Sequence, residues 1–154
     1  MNWKQRYHKS HDAWQQKEYP ASYNDFGALA TNYPDVRKSN GLTRMILYFL
    51  KWEGWRATRI NTMGRLVDGP QKQDSGISLI TKKFIPSTTR KGTADISATI
   101  KGRSVMLEIK ISGDTRRPEQ LREQELERAA GGVYEFISDP EEFFTWYDSF
   151  ILSL

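Results

Sequence analysis

Three residues in the second half of the chain carry the chemistry this sequence offers. Asp95 opens the segment Asp95-Ile96-Ser97-Ala98-Thr99-Ile100, and Glu108 and Lys110 lie in Ser104-Val105-Met106-Leu107-Glu108-Ile109-Lys110-Ile111. Both segments alternate polar and apolar residues, the period of a half-buried strand. A two-residue loop at Lys101-Gly102 puts glycine where a type I′ turn needs positive φ. That loop fixes the register: Ile100 faces Arg103, Ala98 faces Val105, Ile96 faces Leu107, and Asp95 faces Glu108. A loop one residue longer would set Asp95 against Ile109 and turn a whole face over. Opposed side chains have Cβ atoms about 4.5–5.5 Å apart. Lys110 lies on the same face, roughly 7 Å farther along.

Two carboxylates side by side on a mostly apolar hairpin repel each other and call for a cation. Oxygen-only ligation at such a pair suits Mg²⁺ or Mn²⁺, which keep waters and bind phosphate oxygens. Lys110 is close enough to orient or deprotonate a water, or to offset charge on a phosphate in the transition state. The plainer alternative is a surface ion pair between Glu108 and Lys110, with Asp95 merely at a strand end.

The surrounding elements must hold this hairpin. Leu42, Met45, Ile46, Phe49 and Leu50 follow the i, i+3, i+4, i+7, i+8 rule of an amphipathic helix. Ser39 or Asn40 is its expected cap and Gly54 its stop. Trp55 to Asn61 reads as a strand and residues 62–76 as a loop. Ile77–Ile80 and Lys83–Ile85 read as short strands. After the hairpin, Pro118 suits a helix's first turn, and Gly131-Gly132 should stop that helix near Ala130. Its expected buried side is Leu121, Leu126 and Ala129, with Gln120 and Gln124 one turn apart on another side. Val133–Ile137 reads as a strand. Ser138 or Asp139 caps a last helix with Phe143, Phe144, Trp146, Tyr147 and Phe150 to bury. The fold expected is α/β, a small mixed sheet with helices on both sides. The segment joining Ile111 to Val133 is then a parallel crossover. Residues 1–38 form an aromatic-rich extension ahead of a domain at 39–154. Trp3, Tyr7 and Trp14 fall on one side of a helix over 3–17. They serve either to pack it across the core or to stack bases.

Composition narrows the classes. The chain has 154 residues and no cysteine, which removes thiol nucleophiles, zinc-thiolate sites and disulfide scaffolds. Neither a membrane-spanning run nor an apolar leader is legible, so the reading is an intracellular, soluble protein. Net charge is +4. Arg44 to Lys91 holds ten Lys/Arg against three acids, whereas Glu135 to Asp148 holds five acids and no base. That asymmetry suits a polyanion partner on one side.

These strings together resemble a family. Gly92-Thr93-Ala94-Asp95, then Leu107-Glu108-Ile109-Lys110, then Arg117-Pro118-Glu119-Gln120 with Ala130-Gly131-Gly132 behind it, are similar to the PD-(D/E)XK nuclease superfamily. Within it they look most like the VRR-NUC, Holliday-junction-resolvase-like group. Arg59-Ile60-Asn61 and Gly64 match that group's upstream strand, and Gly92 matches the glycine before its Asp. The resemblance spans about Leu42 to Phe150 and implies a restriction-endonuclease-like core. It implies that Asp95 and Glu108 ligate Mg²⁺ or Mn²⁺, with the carbonyl of Ile109 as a third ligand. Lys110 would hold the attacking water or the phosphate, and Gln120 would brace the site. One departure is that the family often has a Glu at the start of its first helix. Residues 39–43 here are Ser-Asn-Gly-Leu-Thr.

The function expected is a metal-dependent DNA endonuclease, structure-selective for branched, flapped or junction DNA. Small relatives of this kind are often encoded by phages or mobile elements, which would place the protein in a prokaryotic or host cytoplasm. Arg65, Arg90, Lys91, Arg116 and Arg117 flank the site in sequence and are the expected phosphate contacts. Two other readings stand beside it. One is a DNA-structure-binding module that does not cut. The other is an assembly role for the N-terminal extension, in which a homodimer is left open.

Overall fold

The computed structural model describes residues 1–60 and 90–154 in full, and between them the backbone of four short strands. Helix α1 (Trp3–Glu18) is opened by a capping box in which Asn2 and Gln5 each accept the other's backbone N–H. Helix α2 (Pro20–Phe26) follows, then α3 (Ser39–Trp52), whose N-cap position falls at Lys38 rather than at Ser39 or Asn40 and has no side-chain cap. Gly54 takes φ +83° just past the end of α3, and Trp55 N–H reaches back to the Leu50 carbonyl, as a glycine-terminated helix requires.

The strands are β1 (Arg56–Arg59), β2 (Arg65–Asp68), β3 (Lys72–Asp74), β4 (Ile77–Leu79), β5 (Lys82–Ile85), β6 (Ile96–Ile100), β7 (Arg103–Ile109) and β8 (Val133–Ile137). Helix α4 (Pro118–Ala129) joins β7 to β8, and α5 (Pro140–Leu152) closes the chain. The expected loop over 62–76 is corrected in part, because β2 and β3 lie inside it. They pair antiparallel with β5 and β4 respectively. Ladder bonds between backbones, rather than apolar alternation, define strands in so polar a stretch, so periodicity could not reveal them.

The main sheet runs β1-β6-β7-β8. β1/β6 and β6/β7 are antiparallel, and β7/β8 is parallel with α4 as its crossover. The protein is therefore α/β with a small mixed sheet flanked by helices. Lys101 and Gly102 both take positive φ, +46° and +80°, as a type I′ turn demands. The register that follows is the expected one, Ile100 with Arg103, Ala98 with Val105 and Ile96 with Leu107.

Alternation then divides the sheet. One face carries Ile96, Ala98, Ile100, Val105, Leu107, Ile109 and Ile137, buried against α3 and α5. Phe49 of α3 sits at its centre, edge-on to Phe143, Phe144 and Tyr147. The other face carries Met106, Glu108, Tyr134 and Phe136 and is more polar.

Helix α1 lays its aromatic side over the same core. Tyr7 is completely buried, and its ring lies 4.6 Å from that of Trp52. The amide of Gln15 holds Leu29 at both its N–H and its carbonyl. The Tyr7 hydroxyl has no hydrogen-bond partner, and burial pushes its phenol up. An unpaired buried hydroxyl costs free energy, so Tyr7→Phe should stabilise the protein by about 1 kcal/mol, measured by urea denaturation.

Candidate active site

β7 runs two residues, Glu108 and Ile109, past its last pairing with β6, Leu107 with Ile96. Its last N–H on that edge, from Ile109, therefore lacks a ladder partner, and Asp95 Oδ2 accepts it at 3.0 Å. The Asp95 carbonyl in turn accepts the N–H of Ile60 at 2.8 Å, which extends the β1/β6 pairing past Arg59. Asp95 is thus locked into the end of the sheet beside Glu108.

Glu108 is 5% exposed, on the polar face of the sheet. Gln120, in the first turn of α4, donates its Nε2 to Glu108 Oε1. Lys110 Nζ stands 3.3 Å from the same oxygen. Gln120 Oε1 accepts the N–H of Arg117 at 3.0 Å, which fixes the amide's orientation. Burial above all, and then the Asp95 charge, pushes the Glu108 carboxyl up to about 7, against the opposing pull of Lys110 and Arg117. Asp95, Glu108, Lys110 and Gln120 are therefore brought together.

The donor set suits a hard divalent cation. Among the described residues, Asp95 Oδ1 and Glu108 Oε2 have no hydrogen-bond partner, so each carboxylate keeps one oxygen to offer. Burial and the Asp95 charge together outweigh the pull of Lys110 and Arg117 on the Glu108 carboxyl. Ile109 shows its N–H and C=O to the same edge of its strand, so its carbonyl lies on the side where Asp95 stands. No cluster of three or more His, Cys, Asp or Glu occurs among the described residues. The first turn of α3 supplies no acid.

Helix α4 departs from expectation. Leu121 and Leu126 are 41% and 43% exposed, Ala129 is exposed, and Gln120 is the buried residue. Polar contacts seat this helix instead. Gln124 Nε2 and an Arg128 guanidinium nitrogen donate to the Tyr134 carbonyl on β8, and Ser104 donates to Glu127. An edge strand has spare carbonyls, and glutamine reaches them where leucine cannot. Gln124 is thus a positioning residue, and its role was not legible in the sequence.

Gly92 and Tyr134 complete the support. Tyr134, buried on β8, donates its hydroxyl to the Gly92 carbonyl at 3.0 Å. Gly92 has φ +85°, and a Cβ there would lie 2.4 Å from the Glu119 carbonyl oxygen, so the chain passes against α4 where only hydrogen fits.

The expected phosphate contacts divide. The Arg116 guanidinium lies 4.5 Å over the Phe136 ring and lines a cleft of about 180 Å³ with Lys110, Asp114, Ser138 and Glu142. The charge of Arg117 reaches Glu108. Arg90 is paired to Glu123 at 2.8 Å, and Lys91 is exposed. The side chain of Arg65, together with Asn61 and Gly64, lies outside the described residues. A roomier cleft of about 560 Å³ lies between α1 and α5, away from the acid pair, and its Arg6 and Asp148 are paired to each other. No helix among the described residues is long and apolar enough to cross a membrane. No protein-family model matches the chain, and no curated protein matches it.

Replacing Gln120 by alanine removes the donor that holds Glu108 Oε1. The acid is then left with Lys110 alone, so its pKa should climb further. The pH at which divalent binding reaches half its maximum, read by calorimetry, is expected to move upward.

Proposed function

We propose that this protein is a Mg²⁺- or Mn²⁺-dependent endonuclease that hydrolyses DNA phosphodiester bonds, with selectivity for branched, flapped or junction DNA. The observation that carries the reading is the acid pair Asp95 and Glu108 held with Lys110 and Gln120 on one face of the sheet. Asp95, Glu108 and the Ile109 carbonyl would hold the metal, which would supply Lewis-acid polarisation of the phosphate. Lys110 donates hydrogen bonds to the attacking water or to a non-bridging phosphate oxygen, and its charge offsets what accumulates there. Gln120 keeps Glu108 in a single orientation. Arg116, flattened on Phe136 beside Lys110, is placed to take a neighbouring phosphate.

The test is cleavage of supercoiled plasmid and of a four-way junction with either metal, comparing wild type with Glu108→Ala and Lys110→Ala. Both variants should lose activity, and equal rates in all three would remove the proposal. Arg116→Ala should weaken junction binding and lower the slope of log K against log salt by about 0.9, the value for one lost contact to duplex phosphate. The absence of an acid in the first turn of α3 favours a second reading, a junction-binding module that does not cut. Tight, salt-sensitive junction binding without cleavage under either metal selects it.

A further inference from the structure

The aromatic residues of the N-terminal segment are only partly spent on the core. Arg44, Tyr48 and Lys51 are spaced i, i+4, i+7 on α3 and all three are exposed, so they form one outward stripe. Tyr48 is 42% exposed and stacks on half-buried Trp52, with centroids 6.0 Å apart and planes 25° apart. Trp14 of α1 continues the row at 6.4 Å and 35° from Trp52, and Lys51 Nζ stands 5.1 Å over the Trp14 ring. Tyr19, 55% exposed, closes the row edge-on to Trp14.

We propose that this face of α3, with Trp14 and Tyr19 beside it, binds single-stranded nucleic acid. Tyr48 and Tyr19 offer exposed rings at the two ends of the row, with half-buried Trp52 and Trp14 between them, to bases of any sequence, and Arg44 and Lys51 beside them meet the phosphates. A second copy of the chain suits the surface less well, because the core of a protein interface is depleted of lysine. The stripe lies on α3, which packs on the opposite face of the sheet from Asp95 and Glu108. The proposal therefore stands apart from the cleavage reading, and its test uses no metal.

The experiment is fluorescence anisotropy of a labelled 20-nucleotide oligothymidine in EDTA, across a salt series. Wild type should bind. Tyr48→Ala should weaken binding roughly tenfold, the loss expected for one base–ring stack, and Tyr48→Phe should restore it. Changing Arg44 and Lys51 together to glutamine should lower the salt slope by about 1.4, the value for two single-strand phosphate contacts. Sedimentation of the same proteins should show one mass for wild type and Tyr48→Ala. The proposal fails if wild type does not bind the oligonucleotide, or if Tyr48→Ala binds as tightly as wild type. It also fails if Tyr48→Ala converts a wild-type dimer to monomer, which would assign the face to a second copy.

Discussion

Glu108→Gln is expected to abolish divalent-dependent cleavage while making the metal-free protein more stable at pH 8. The glutamine keeps the size of the side chain and can still accept the Gln120 amide on its Oε1. What it loses is the charge. In the folded chain the Glu108 carboxyl is raised from 4.5 to about 7 by burial and by Asp95. The folded state therefore holds a proton that the unfolded state has released between those two values. Stability from this group is fully present below about 4.5 and is lost as pH rises through about 7. At pH 8 the wild-type chain carries the full cost of a buried carboxylate beside another, on the order of 3 kcal/mol with the pull of Lys110 and Arg117 already counted. The amide carries none of it, although Lys110 then loses a partner. A net gain of about 2 kcal/mol is expected at pH 8 and little change at pH 5, measured by thermal melts in EDTA. Added Mg²⁺ should raise the wild-type melting temperature at pH 8 and leave the variant's unmoved. If the proposed function holds, cleavage should fall by a factor on the order of 10³ or more, since Glu108 would be among the residues that hold the Lewis acid. A variant that cuts at the wild-type rate would show that Glu108 does not belong to the reacting site.

Gly92→Ala is expected to destabilise the fold by about 3 kcal/mol and to lower activity with it. Two penalties act together. The backbone at Gly92 has φ +85°, which an L side chain rarely adopts, and the new methyl would lie 2.4 Å from the Glu119 carbonyl oxygen. That oxygen belongs to the first turn of α4, so relief requires the helix to retreat. Gln120 is the next residue, and its amide holds Glu108. The Tyr134 hydroxyl also depends on the Gly92 carbonyl. Gly102→Ala is the control. Its φ is +80°, but nothing lies within 4 Å of a Cβ there, so only the backbone penalty of about 1–2 kcal/mol applies. Equal urea midpoints for the two variants would show that the approach of α4 to Gly92 carries no energetic weight.

The hairpin was legible before any fold was known. A two-residue turn leaves no freedom in counting, so Lys101-Gly102 set every pair from Ile100–Arg103 to Ile96–Leu107 and thereby put Asp95 beside Glu108. Equally legible were the apolar faces of α3 and α5, where one side of each helix must find cover. Which side of α4 turns inward was settled by what packs against it. Its leucines suggested one face, but the spare carbonyl of β8 and the buried Glu108 selected its glutamines. Nor could spacing reveal that Trp52 would receive Tyr7, His11 and Trp14 from α1. Turn geometry and periodicity are properties of a few neighbouring residues and can be read along the chain. The partner of a polar or aromatic side chain is set by whatever the fold brings against it, and that is written in no single segment.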